Sequence, residues 1–212
     1  MYFFPTFVLH TTLWGVRTQT TDSRRLGVLT HHWLMHIIDI QYTSTPCGRM
    51  ILGSYDGRLC LCDWVASRWR TRTDARLQHA LQATYAVRCS TVITQAMGQL
   101  EEYFQGRRRA FDLPLLPVGT EFQRLTWRCL CTIPYGATLS YAQEARLMGR
   151  PSAVRAVAQA NGANALSIVI PCHRVIGSSG RLTGYAGGMQ AKEFLLALEQ
   201  RVCAQDTGLA RP

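Results

Sequence analysis

The sequence predicts an α+β fold in two parts, a small N-terminal α/β domain followed by a mainly helical C-terminal domain. Three observations carry this expectation. Residues 36–65 read as three strands, "HIIDIQYTS", "GRMILGSY" and "GRLCLCDWV", and Asp56-Gly57 between the last two is a hairpin signal. Beyond residue 120, apolar side chains recur at helical spacing, as in Phe122, Leu125, Leu130 and Ile133. Between the halves, "GRRRAFDLPLLPVGT" is rich in Arg, Pro and Gly and reads as a linker over 106–118. The expected organisation is an N-terminal domain over 35–105, that linker, a C-terminal domain over 119–202 and a tail over 203–212.

The first 34 residues precede any regular pattern. They are apolar but carry Pro5 and His10, and they lack the basic start and small-residue cleavage site of a secretory signal. The run is too short to span a membrane. It is expected to be a disordered extension, with Met35 as the working start. After the strands, 74–84 and 91–105 read as helices. In the second, Ile93, Met97, Leu100 and Phe104 form a stripe, with Thr91 as candidate cap and Gly106 as the stop. A helix over 121–132 is stopped by Pro134.

"GATLSYAQEARLMGRPSAVRAVAQANGAN" then holds two short helices. Ser140 caps the first, Gly149 ends it, and Pro151 falls in the first turn of the second, where its missing N–H is harmless. Two helices joined by a short Gly-containing turn form a helix-turn-helix candidate. The second is built from small residues, among them Ala153, Ala156, Ala158 and Ala160, around Arg155. It either fits a narrow groove with one long cation projecting or packs tightly inside the protein.

A content of 47% apolar and 17% charged residues excludes a disordered chain. The net charge is +10, and Lys192 is the one lysine among 23 basic residues. Arginine suits bidentate contact with phosphate, so the charge fits a polyanionic partner; it also fits a solvated basic surface. The CxC pairs Cys60/Cys62 and Cys129/Cys131 lack metal-site spacing, and no metal is expected. On a strand, Cys60 and Cys62 share one face, which reads as packing. Free thiols point to a reducing compartment, the cytoplasm.

The stretch "IVIPCHRVIG" places Cys172, His173 and Arg174 in succession where an apolar strand is expected to stop. Cys172 is either one more buried small hydrophobe or a nucleophile exposed at a strand terminus. A nucleophilic thiol needs a base or positive charge nearby, and a histidine base needs a carboxylate to orient it. Successive residues of an extended chain face opposite ways, so His173 is expected to reach the thiol only through a water or a turn. In "MQAKEFLLALEQ" the candidate carboxylates are Glu193 and Glu199.

From about Gly119 to Glu199 the chain resembles the O6-alkylguanine-DNA alkyltransferases, the methylated-DNA–protein-cysteine methyltransferases. The resemblance rests on "FQRLTW", "IPYG", "SYAQEARLMGRPSAVRAVAQANGAN", "IVIPCHRVIGSSGRLTGYAGG" and "KEFLLALE". It implies a ribonuclease H-like N-terminal domain and a winged helix-turn-helix. It also implies a single-turnover transfer of an alkyl group from O6 of guanine, and less readily O4 of thymine, to Cys172. His173 would activate the thiol through a water, Glu199 would orient His173, Asn164 would brace the turn, and Tyr141 would serve the departing guanine. Tyr185, with Val175 and Gly187, would wall the pocket. The helix-turn-helix would enter the minor groove of double-stranded DNA, with Arg155 filling the stack vacated by a flipped base, Gln123, Arg150 and Ser178 at the phosphates, and Tyr141 also touching the DNA. No cofactor, no membrane and a monomer are implied. The alternative is a non-catalytic minor-groove binder of alkylated DNA with a structural Cys172. A thiol hydrolase leaves the helix-turn-helix unexplained.

Overall fold

The computed structural model describes residues 36–206, so the readings of residues 1–34 and of the tail beyond 206 lie outside the described residues. β1 (His36–Thr45), β2 (Gly48–Tyr55) and β3 (Arg58–Trp64) form an antiparallel meander. The Asp56-Gly57 turn takes positive φ at both residues, +50° and +67°, the conformation that lets a two-residue hairpin follow the strand twist. α1 (Arg70–Leu81) then returns the chain to β4 (Ala83–Val87), which lies parallel to β1 and completes the order β3-β2-β1-β4. α2 (Thr91–Phe104) packs on this sheet.

Three local expectations are corrected here. The helix expected over 74–84 ends at Leu81, because Gln82 turns left-handed at φ +48° and β4 starts at once. That position is usually glycine, so nothing in the sequence marked the break. Ser90, not Thr91, occupies the N-cap of α2; its hydroxyl is taken by Ser54 Oγ at 2.7 Å rather than by a helix N–H. Finally, the β2–β3 register slips between Gly53 and Ser54, so Cys60 has no partner across the ladder. The bulge breaks the alternation, and Cys60 and Cys62 enter different apolar clusters instead of sharing a face.

β3 is an edge strand, and its free edge is covered. Leu59 exchanges hydrogen bonds with Pro114 and Leu116 in the linker segment, and Cys62 N–H donates to Ala165 O at 2.8 Å. The second contact joins the sheet to the turn that precedes Cys172. One core runs through both parts: Leu52, Leu59 and Trp64 of the sheet and Ile93 and Leu100 of α2 pack with Cys172, Val175, Leu195 and Leu198.

The C-terminal part opens with α3 (Glu121–Leu130), capped by a reciprocal box in which Thr120 and Gln123 each hold the other's backbone N–H. β5 (Leu139–Ser140), α4 (Tyr141–Leu147) and α5 (Val154–Gly162) follow, with the same box between Ser140 and Gln143. Gly149 at φ +68° ends the first helix of the pair, and Pro151 opens a 3-10 turn before α5. β6 (Val175–Ile176) pairs parallel to β5, and α6 (Gly188–Asp206) closes the domain, running into the segment read as a tail. α5 resolves the two readings of its small residues by facing both ways. Val157, Ala160 and Asn161 are buried, whereas Arg155, Ala156 and Gln159 are exposed.

Candidate active site

The apolar run before Cys172 is not a strand. Residues 165–170 fold into a tight turn with Ile168 at φ +71°, a left-handed conformation that is strained for a β-branched side chain. Cys172 then starts a 3-10 turn, Cys172–Arg174, and is 7% exposed, so the expectation of a thiol at an exposed strand end is corrected: it is buried. Asn164 spans the turn. Its Nδ2 donates to Ile170 O at 2.9 Å and to Cys172 Sγ at 3.3 Å, while Oδ1 accepts from Leu166 N–H. Burial pushes the Cys172 thiol up to about 11, against the lowering effect of Asn164 and of the Lys192 charge.

His173 lies fully buried beside it. Its Nε2 sits 2.9 Å from Glu199 Oε1, and its Nδ1 has no hydrogen-bond partner among the described residues. Burial lowers the histidine pKa, with Glu199 opposing, so the ring is neutral at pH 7. A neutral ring facing a carboxylate carries its proton on Nε2, which leaves Nδ1 as a free acceptor. Burial would raise the Glu199 pKa, but hydrogen bonds from His173 and Arg174 outweigh it and hold the group at about 2. Tyr103 O–H, Arg174 Nη2 and Arg174 Nε donate to Glu199 at 2.8, 2.9 and 2.9 Å, and Gly136 N–H donates at 2.9 Å. Arg174 also donates to Ile133 O at 2.7 Å, so its guanidinium is engaged by Glu199 and this carbonyl. Glu193, the other candidate carboxylate, is exposed.

Tyr141, at the start of α4, accepts a hydrogen bond from Thr183 Oγ1 at 3.2 Å. Tyr185 packs edge-on between His173 and Trp64, with centroids 6.4 and 6.1 Å away, and its hydroxyl is buried with no hydrogen-bond partner among the described residues. Val175 is buried, and its carbonyl accepts from Lys192 Nζ at 2.5 Å. Gly187 lies on the Trp64 indole: a Cβ there would stand 2.5 Å from a ring carbon. Arg155, Arg150 and Ser178 are exposed, while Gln123 spends its Oε1 on the α3 cap and keeps its amide donors.

Models of two families match this chain: "6-O-methylguanine DNA methyltransferase, DNA binding domain" over residues 121–201, and the same protein's "ribonuclease-like domain" over 40–117. The constitutive methylated-DNA–protein-cysteine methyltransferase of Bacillus subtilis is 43% identical over 167 residues, 75% of this chain and 94% of that one. The chain belongs to the methylated-DNA–protein-cysteine methyltransferase family. Its relative of that name from Methanosarcina barkeri is 56% identical over 106 residues, 50% of this chain and 67% of the other. Among solved structures, the O6-methylguanine methyltransferase of Mycobacterium tuberculosis superposes with a TM-score of 0.67 at 36% identity, covering 82% of this chain and 99% of that one. A second Mycobacterium tuberculosis structure, in complex with DNA, gives 0.67 at 37% identity over the same shares. The two-part α+β fold, ribonuclease-like then helical, is thereby established.

Four buried groups at the site of this methyltransferase carry little signal in the sequence. Tyr103 of α2 reaches Glu199, and a hydroxyl at helical spacing with the apolar stripe of α2 was its one signal. Lys192, fully buried, holds the carbonyls of Val175 and Thr183; burial lowers its pKa. A lone lysine in an arginine-rich chain was the clue. Trp64 backs Gly187, and Asp63 beside it accepts from Ser167 Oγ at 3.1 Å and from Arg70 at 3.1 Å. No local pattern announces either, because both act across the two halves.

The helix-turn-helix of this methyltransferase holds one further titratable group. Glu144 is fully buried; its Oε2 accepts from Asn161 Nδ2 at 2.7 Å, its Oε1 has no partner among the described residues, and burial raises its pKa to about 7 from 4.5. Between those values the unfolded chain is ionised while the folded one keeps its proton, so stability falls as pH rises through this window. Glu144→Gln is expected to melt above the parent protein at pH 8, with the gap closing toward pH 5. Thermal denaturation at both pH values checks this, and an equal gap at both would contradict it.

Proposed function

We propose that this chain repairs alkylated DNA by moving the alkyl group from O6 of guanine, and less readily from O4 of thymine, onto Cys172, once per molecule. The observation that carries the reading is the free Nδ1 acceptor of a neutral, Glu199-anchored His173 next to a thiol held by Asn164. With a thiol pKa near 11, almost no thiolate exists at pH 7, so a base must take the proton as attack proceeds. His173 Nδ1 receives it through a water. The sulfur forms a bond to the alkyl carbon as the carbon–O6 bond breaks, and the electron pair leaves with the base. Tyr141 O–H stabilises that anion and supplies its proton. The thioether has no route back, which makes the protein a single-use reagent.

An O6 atom inside a stacked duplex is out of reach of a buried sulfur, so the nucleotide must be flipped, at a few kcal/mol. Arg155 projects from the exposed face of α5, among alanines that allow close approach to a minor groove, and fills the gap. The backbone contacts are Arg150, Ser178, Tyr141 and the amide of Gln123. The protein acts as a monomer in the cytoplasm with no cofactor. Arg155→Ala is expected to slow repair of duplex O6-methylguanine at least tenfold more than reaction with free O6-benzylguanine, measured as single-turnover rates. Equal losses on both would remove the flipping role. For the transfer itself, guanine restored should plateau at one equivalent per protein; continued turnover would overturn the reading.

A further inference from the structure

One surface feature is not absorbed by the transfer chemistry. A groove of about 1510 Å³ runs between α1 and the C-terminal part, from Tyr141 and Tyr185 at the mouth of the Cys172 site, past Ala156 and Gln159 of α5, to α1. It exceeds the roughly 300–1,000 Å³ of a small-ligand pocket, so its shape suits a length of polymer. Among the described residues its lining holds four arginines, Arg68, Arg72, Arg76 and Arg124, and no aspartate or glutamate.

These arginines are not equally free. Arg76 Nη2 donates to Ala163 O and Arg124 Nη1 to Gly119 O. Arg68 and Arg72 are exposed and have no hydrogen-bond or ion-pair partner among the described residues. Arg72 and Arg76 stand one helical turn apart, and so share a face of α1. Arg68 stacks on the partly exposed Trp69 ring at 4.5 Å, and its Nη2 lies 3.4 Å from where a Cβ on Gly184 would be. The N-terminal domain thus places an unpaired guanidinium against the loop that carries Tyr185. Like charges crowded along one wall, with no carboxylate opposite, call for an external anion.

We propose that this groove takes the phosphodiester backbone of the DNA strand adjoining the flipped nucleotide, with Arg68 and Arg72 as its phosphate contacts. The proposal rests on the DNA-repair reading, and it extends the DNA surface from the helix-turn-helix onto the N-terminal domain.

The test is the salt dependence of duplex binding by the full chain, measured by fluorescence anisotropy on a labelled O6-methylguanine duplex. Each phosphate contact contributes about 0.9 to the slope of log K against log salt, so Arg68→Ala/Arg72→Ala should lower the slope by about 1.8. Arg68→Lys/Arg72→Lys keeps both charges and should retain the slope, as should Arg201→Ala, an exposed arginine of α6 outside the groove. An unchanged slope in the double alanine variant, or an equal fall in Arg201→Ala, would overturn the proposal. Transfer from free O6-benzylguanine to the parent protein tests the underlying reading separately, since that substrate carries no phosphate.

Discussion

Cys172→Ser is expected to abolish alkyl transfer from both duplex DNA and free O6-benzylguanine. The geometry should survive the change, because Asn164 Nδ2 can donate to a hydroxyl as it does to Sγ, and the turn is held by Asn164 and the Ile170 carbonyl rather than by sulfur. The loss is chemical. A serine hydroxyl is a far weaker nucleophile than a thiol and, without a matched base in direct contact, remains one. His173 reaches this position only through an intervening water in the proposed route, a connection tuned to a thiol proton. Single-turnover assays on both substrates provide the measurement, and transfer to the serine variant would show that the acceptor lies elsewhere.

Glu199→Ala is expected to be the most destabilising single change at the site, by about 3–5 kcal/mol. It strands Arg174, which is 7% exposed and donates twice to this carboxylate, together with Tyr103 O–H and Gly136 N–H. His173 would lose the partner that keeps its proton on Nε2, and with it the free Nδ1 acceptor, so transfer should fall by ~10²–10⁴ as for the loss of a general base. The same carboxylate sets an acid limit. Its folded pKa is about 2 against 4.5 in the unfolded chain, so it stabilises fully above pH 4.5 and loses that contribution as pH falls toward 2. Glu199→Gln should lack this acid-dependent part, worth about 3 kcal/mol in the parent. Urea denaturation between pH 6 and 3 separates the cases: the parent curve slopes with pH through this carboxylate, and a variant curve of the same slope would contradict the assignment. The Glu144 and Glu199 effects have opposite signs, since one carboxyl is buried with a single donor and the other with five.

What the sequence showed and what it hid divide along physical lines. Cys172 and His173 are adjacent, and the α4–α5 pair carries its own caps in Ser140, Gly149 and Pro151, so local spacing was enough for these, whereas Asn164 came from the family resemblance alone. Residue type alone left Glu193 and Glu199 open; the family resemblance preferred Glu199, and it is the buried one of the two. The first two residues of β4 were read as helix, and the rest of the strand went unread, because a left-handed glutamine does the work usually given to glycine. The buried turn at Ile168 looked like a strand because a β-branched run at positive φ contradicts its own propensity, a conflict tolerated where the backbone is held by long-range bonds. Trp64, Asp63 and Tyr103 come to the site from the N-terminal domain across a shared core, a relation that no periodicity encodes.

The central claim, that Cys172 is consumed as the alkyl acceptor, is tested most directly by intact-protein mass spectrometry with peptide mapping after incubation with excess duplex bearing one O6-methylguanine. The expected result is a gain of a single methyl group, confined to the peptide containing Cys172, with guanine restored in equal amount. An unchanged protein mass despite tight binding to the lesion would contradict it and would make this chain a binder of alkylated DNA with a structural cysteine.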